Sequence, residues 1–273
     1  MPPIEFIAEY CTKASSLGIS EIAITEHLFR FKQSLPLLST VVAGENDIEM
    51  ADSMKAYFNF HATMDLDRYV ESMQAAKSAG LPVQLGLEMD YYRGSMDEVS
   101  TMLSGYPFDV ILGSVHWLGT WRFDDLDDHL SMERWNTVSL DTIWKQYEEA
   151  MEELAGTSAC DVIAHPDLIK VHGEKPPMNN EFWSAMAEIL SESGMSAEIS
   201  SAGWRKPAAE QYPSGELIAR LASRGVPLTT ASDAHTLSLV GDQVGRLRTM
   251  LVDAGVASVR GFSARVARDV EIR

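Results

Sequence analysis

The sequence is short of cysteine, of positive charge and of long apolar runs, and each shortage excludes a class of protein. Two cysteines occur in 273 residues, Cys11 and Cys160, with no Cys-x-x-Cys pair. A disulfide scaffold and a thiolate zinc site are excluded on that count, and a reducing, cytoplasmic setting is expected. Lys and Arg total 22 against 40 Asp and Glu, a formal net charge of −18. A field of that sign repels a phosphate backbone, so nucleic acid is not an expected partner. No stretch reaches about 18 uninterrupted apolar residues, and the opening MPPIEFIAEYCTKASS lacks a basic segment followed by an apolar one. Neither a membrane span nor a signal peptide is expected. Nucleotide loops of the Gly-x-Gly-x-x-Gly and Walker types are absent, as is the Gly-x-Ser-x-Gly elbow of serine hydrolases.

What is present is an alternation of short β-rich apolar runs with longer amphipathic stretches, the pattern of βα units around a parallel sheet. Six strands are predicted, at 21–25, 83–87, 109–114, 161–164, 196–200 and 227–231. Helices are predicted at 3–17, 66–79, 140–155, 180–193 and 215–223, each stopping at or near a glycine: Gly18, Gly80, Gly156, Gly194 or Gly225. Residues 28–63 show no clear period and are read as a lid or rim inserted into one domain spanning 1–273.

The chemistry lies at the C-terminal end of each strand. His27 comes just after the first, Glu88 closes the second, and His116 and His165 come after the third and fourth; Asp233 and His235 come after the sixth, two residues apart. In a parallel barrel those C-terminal ends converge on one mouth, where active sites form. A single histidine after a strand is more often a packing residue than a ligand. Four of the seven histidines placed this way, with two carboxylates, reverse that expectation. Imidazole with carboxylate and no thiolate suits zinc, manganese or ferrous iron, and more than four candidate donors point to more than one ion. Arg205 and Lys206 lie beyond the fifth strand, where arginine's planar fork suits a phosphate and Lys206 equally suits an ordinary salt bridge. The remaining histidines, His61, His129 and His172, are read as surface residues or neighbours of ligands. The acidic run 123–128 is read as a solvated turn, the methionines as core filling and both cysteines as inert.

The segments TEH (25–27), GLEMDYY (86–92), FDVILGSVHWL (108–118), IAHPDLIK (163–170), EISSAGWRKP (198–207) and ASDAHT (231–236) together resemble the PHP-domain phosphoesterases. Within them the sequence is most similar to the histidinol-phosphate phosphatases, from about residue 6 to about residue 245. The resemblance implies an α/β fold, a distorted seven-stranded (β/α)7 barrel, holding up to three divalent ions. It implies that Glu88 bridges metals, that His116 and His165 complete one ion's shell, that Asp233 serves another, that His27 and His235 serve the third, and that Arg205 holds the substrate phosphate. The implied activity is hydrolysis of L-histidinol phosphate to histidinol and phosphate, in histidine biosynthesis. The family pattern opens with a strand ending in His-x-His, and a further histidine soon after. From Met1 onward this sequence has no counterpart, so a barrel short of its first strand is expected, with the Glu88, His116 and His165 shell the fullest. The same residues admit two other readings: a phosphoesterase of the superfamily acting on a nucleotide or another small phosphate ester, and a shortened, non-catalytic relative.

Overall fold

A computed structural model describes residues 3–176 and 179–272. Six parallel strands pair in chain order: β1 (Ile22–His27), β2 (Val83–Asp90), β3 (Val110–Ser114), β4 (Val162–Ile163), β5 (Ser196–Ser200) and β6 (Leu228–Ala231). All six lie where the β-rich runs predict them. The five predicted helices are present as Ile4–Ser16, Leu66–Ser78, Leu140–Ala155, Asn179–Ser193 and Gly215–Ser223. Side chains start three of these, with Asp65, Ser139 and Ser214 accepting the N–H groups of Arg68, Thr142 and Leu217. Gly80 ends its helix at φ +81°, the left-handed stop that glycine adopts without strain. Gly156 instead stays right-handed at φ −73°, and the chain reverses later, at Ser158.

The sheet is curled. A flat sheet would hold its first and sixth strands about 24 Å apart at the usual strand spacing. Yet the rings of His27, closing β1, and His235, just beyond β6, are 6.3 Å apart. Among the described residues β1 and β6 do not pair with each other, and they are the half-exposed strands of the sheet, whereas β3, β4 and β5 are buried throughout. The barrel short of a first strand that the resemblance implies is thus what the described residues form, an open one of six parallel strands.

Alternation along the strands separates two apolar clusters. Ile111, Ile163, Ala197 and Ile199 pack outward on the helices, while Val110, Leu112, Val162 and Ala164 point inward. The inward group meets Phe262 of a hairpin that the β-rich runs do not predict, β7 (Ser258–Ser263) with β8 (Val266–Glu271). Its turn closes the barrel floor: Ala264 N–H donates to Asp109 Oδ1 at 3.0 Å, and Arg265 Nε lies 3.1 Å from both oxygens of Asp161.

Asp109 ties this floor together. It is 2% exposed, and its Oδ2 accepts the Leu85 N–H at 2.8 Å and pairs with Lys77. Burial opposes its ionisation, but Lys77 and the N–H groups of Ala264 and Leu85 outweigh burial and hold its carboxyl below the usual range. With a depressed native pKa, this stability is present above the unfolded value of about 3.9 and is lost as pH falls through the native one. Asp109→Asn is expected to cost about 2 kcal/mol at neutral pH and to flatten the acid limb of stability. Urea midpoints from neutral pH downward check this, and an acid limb identical to wild type would refute it.

The 28–63 insertion is not a structureless loop. It contains two short 3-10 turns, Leu28–Arg30 and Lys32–Leu37, a helical turn at Leu38–Val41 and a helix, Ile48–His61, started by Asp47. Met50, Met54 and Phe58 of that helix enter the main core with Phe29 and Phe31, so the segment is a packed wall.

Candidate active site

Period two in β2 places Glu88 and Asp90 on the same inner face, opposite Leu87 and Met89, which join the outer core. Both carboxylates are buried, at 6% and 0% exposure. Three imidazoles surround Glu88: His165 Nε2 is 3.1 Å from Oε1, His116 Nε2 is 3.5 Å from Oε1, and His27 Nδ1 is 3.9 Å from Oε2. The His27 and His116 rings lie 5.2 Å apart, and those of His116 and His165 lie 5.0 Å apart. Four of the predicted residues, from four different strand ends, therefore meet at one point.

The remaining predicted residues line the edge of the mouth. Asp233 and His235 are 35% and 62% exposed, and His235 Nδ1 is 3.5 Å from Asp233 Oδ1. Arg205 closes the 3-10 turn Ser201–Arg205 beyond β5. Its Nη1 pairs with Asp242 at 3.0 Å, and its Nη2 donates to the carbonyls of Ser232 and Asp233 at 2.8 and 3.0 Å. Arg205 thus grips the turn that presents Asp233. Two of the candidate ligands sit in strained backbone, with His165 at φ +27° and Asp233 at φ +47°. Such conformations persist where the surroundings over-determine them, and they cluster at functional sites. At His165 the constraint is visible: its N–H donates to Glu198 Oε2 at 3.1 Å.

Three acidic residues of the site were not among the predicted ones. Asp90 Oδ1 lies 2.7 Å from His116 Nδ1, which leaves Nε2 free to face Glu88. The signal was its position two residues after Glu88 in a strand. Glu198, 4% exposed, lies in the middle of β5, where its signal was a carboxylate inside an otherwise uncharged strand. Asp124 belongs to the acidic run, which is not simply a solvated turn. Asp125 and Asp128 pair with the buried Arg122 at 3.4 and 3.0 Å, while Asp124 lies near enough to His116, His165 and His27 to act on them electrostatically. Of the other histidines, His129 is 80% exposed, His172 stacks on Trp135 at 5.2 Å, and His61 packs on Tyr57 at 4.4 Å. Burial pushes the Cys160 thiol up to about 12, in keeping with an inert role.

The site holds opposite charges in a desolvated space. Burial resists ionisation of Glu88, yet His27, His165 and His116 overcome it and hold its carboxyl well below the usual range. Burial likewise opposes charging of His116, but the Asp90 hydrogen bond and the charges of Asp124, Asp90 and Glu88 carry it up to about 10. Glu198 is pushed up to about 7 by burial, which the His165 charge only partly offsets. Donor atoms of Glu88, His116 and His165 lie within 4.8 Å of one another, as do those of His27, Asp90 and His116. Buried His27 Nδ1, His165 Nδ1 and Asp90 Oδ2 have no hydrogen-bond partner among the described residues. Convergent imidazoles and carboxylates with unspent donor atoms fit a divalent cation.

The Asp90 contact to His116 is the carboxylate-to-imidazole arrangement that orients a metal-binding histidine. Asp90→Asn is expected to weaken zinc binding by about 10- to 100-fold with the fold intact. Competition with a chromophoric chelator measures it, and unchanged affinity would remove Asp90 from this role.

The fold and the site together define a curled parallel barrel with a histidine and carboxylate centre at its C-terminal mouth. The PHP domain profile matches residues 4–202, and the chain belongs to the PHP domain family. The probable histidinol-phosphatase of Deinococcus radiodurans is 34% identical over 239 residues, which span 85% of this chain and 81% of that protein. The histidinol-phosphatase of Bacillus subtilis is 25% identical over 86% of this chain and 89% of its own length. The crystal structure of histidinol phosphate phosphatase from Lactococcus lactis, complexed with zinc, L-histidinol and phosphate, superposes with a TM-score of 0.67 at 18% identity, covering 95% of this chain and 91% of that one. This last likeness establishes the shared fold.

Proposed function

We propose that this chain is a metal-dependent phosphomonoesterase that hydrolyses L-histidinol phosphate to L-histidinol and inorganic phosphate. The observation that carries this reading is the convergence of His27, Glu88, His116 and His165 at the mouth of a PHP-family barrel. Glu88, His116 and His165 would hold one divalent ion, with His27, Asp233 and His235 contributing to others, up to three in all. Zinc, manganese and ferrous iron each accept these donors. Such ions, when bound, polarise a phosphoryl oxygen and provide a nucleophile near neutral pH.

The chain's own residues do the rest. Glu88 supplies negative charge at the centre, Asp90 fixes the His116 ring, and Glu198 fixes the backbone of His165. Arg205 would take the substrate phosphate on its planar fork. Doing so exchanges its pair with Asp242, in which the side chains are 25% and 27% exposed, a pairing worth little. No helix among the described residues is long and apolar enough to cross a membrane.

The test is phosphate release by purified protein stripped with a chelator and reloaded with zinc or manganese. Release from L-histidinol phosphate in preference to a 3′-phosphonucleotide is expected. The opposite preference would favour the nucleotide reading, and no release from any ester by the reloaded chain would favour a non-catalytic relative.

A further inference from the structure

The loop that carries His165 and the segment that supports Arg205 meet at one buried ammonium group. Lys170 is 5% exposed and lies in the 3-10 turn Leu168–His172, just beyond His165. Its Nζ is 2.9 Å from Asp167 Oδ2 and donates to Glu210 Oε2 and to the Gln211 carbonyl, each at 2.8 Å. The ammonium has three N–H donors, and these three acceptors use them all. The Tyr212 ring lies 5.4 Å from the same nitrogen.

The two carboxylates belong to different arms of the site. Asp167, fully buried, follows His165 and Pro166, and its Oδ2 also accepts the Ser214 N–H at 2.7 Å. Glu210 lies in the 206–214 segment, whose backbone supports the Ser201–Arg205 turn: a Cβ added to Gly203 would stand 2.0 Å from the Glu210 carbonyl oxygen. A second close approach joins the same two segments. Gly173, ending the Lys170 turn at φ +97°, lies so near Pro207 that an added Cβ would be 3.3 Å from its carbonyl oxygen.

A buried ion pair is weak evidence for stability, because desolvation of the charges offsets their attraction. What three spent donors provide is fixed geometry. His165 sits at φ +27°, a conformation that persists where the surroundings over-determine it. Glu198 holds its N–H, and the Asp167–Lys170 cluster holds the chain that follows. We infer that Lys170 is a positioning residue: through Asp167 on one side, and Glu210 and Gln211 on the other, it sets the spacing between His165 and the turn that presents Arg205. The inference rests on the phosphomonoesterase reading, and Lys170 itself touches neither metal nor ester in this role. Spacing matters because a misplacement of about 1 Å can cost on the order of 100-fold in rate.

Three variants separate the two arms. Asp167→Asn loosens the His165 side and should weaken zinc affinity and lower kcat, each by about tenfold, with KM little changed. Glu210→Ala loosens the Arg205 side and should raise KM for the phosphate ester and weaken affinity for inorganic phosphate, each by about tenfold, with zinc affinity unchanged. Lys170→Met should do both and lower kcat/KM by about 100-fold. Steady-state rates of zinc-reloaded protein, chelator competition for zinc and calorimetry with inorganic phosphate measure these effects in variants that circular dichroism shows to be folded. A merely structural role would lower the thermal midpoint without dividing zinc affinity and kcat from KM and phosphate affinity. Should Lys170→Met fail to fold, the two single-arm variants decide. If wild type is active and those variants keep wild-type constants, or shift all of them together, the positioning role is wrong and the phosphomonoesterase reading survives. If wild type releases no phosphate from any ester, that reading fails and the positioning role with it.

Discussion

Glu88→Gln is expected to lower turnover of L-histidinol phosphate by about three orders of magnitude or more, with a matching loss of bound metal. Among the described residues Glu88 is the one carboxylate within 4 Å of all three converging imidazoles, at 3.1, 3.5 and 3.9 Å, and it is 6% exposed. The amide replaces a full negative charge with a neutral group in a space that burial has already desolvated. It also turns N–H donors toward His165 and His116, or toward the cation between them, where only acceptors are useful. Solvent cannot compensate at such depth, so a charge lost there is felt almost undiminished. His116→Ala should have a comparable effect by removing a donor from both three-residue groups. Steady-state rates with elemental analysis of the protein measure both variants. Near-wild-type rates in the two together would dismiss the metal-site assignment.

Gly203→Ala is the substitution expected to damage the structure most, by about 3 kcal/mol or more. A Cβ at position 203 would stand 2.0 Å from the Glu210 carbonyl oxygen and 3.1 Å from the Tyr212 ring. The oxygen is backbone and cannot rotate away. It belongs to a segment fastened to β5, where Ser200 N–H donates to the Tyr212 carbonyl at 2.6 Å and Tyr212 N–H returns a bond at 2.9 Å. Relief therefore requires lifting the Ser201–Arg205 turn off its support, which moves Arg205 away from the carbonyls of Ser232 and Asp233. The expected result is a lower thermal midpoint together with a raised KM for the phosphate ester. A variant with unchanged stability and kinetics would mean that the turn has slack the structure does not show.

Much of this architecture is legible in the order of residues because its signals are local. Short β-rich apolar runs place six strands, and the residues just beyond the first four runs are His27, Glu88, His116 and His165. Where the signal is mixed, legibility falters. The helix Ile48–His61 looks aperiodic because Ile48 and Phe60, 76% and 77% exposed, put apolar residues on its outer face as well as its inner one. The hairpin at 258–271 is mostly exposed along β8, whose sequence Val266-Ala267-Arg268-Asp269-Val270-Glu271 mixes charged and apolar residues without a regular period, so it offers no run to recognise.

The sequence by itself determined the parallel βα order, the acidic surface charge and the identity of the donors gathered at the mouth, since each depends on residue type and near-neighbour spacing. Only the tertiary structure decided that Asp90 orients His116, that Glu198 braces His165, that Asp124 comes near enough to His116 to feel its charge while its neighbours pair with Arg122, and that Arg205 grips the Asp233 turn. Apart from the Arg122 pairs, which lie within one loop, those contacts join residues on different strands and loops. Burial, which moves Glu198 up to about 7, is likewise a property of what surrounds a group in space. Pairing of neighbouring strands brings Asp90 to His116 and Glu198 to His165, and curling of the sheet brings the rings of His27 and His235, at the ends of β1 and β6, within 6.3 Å.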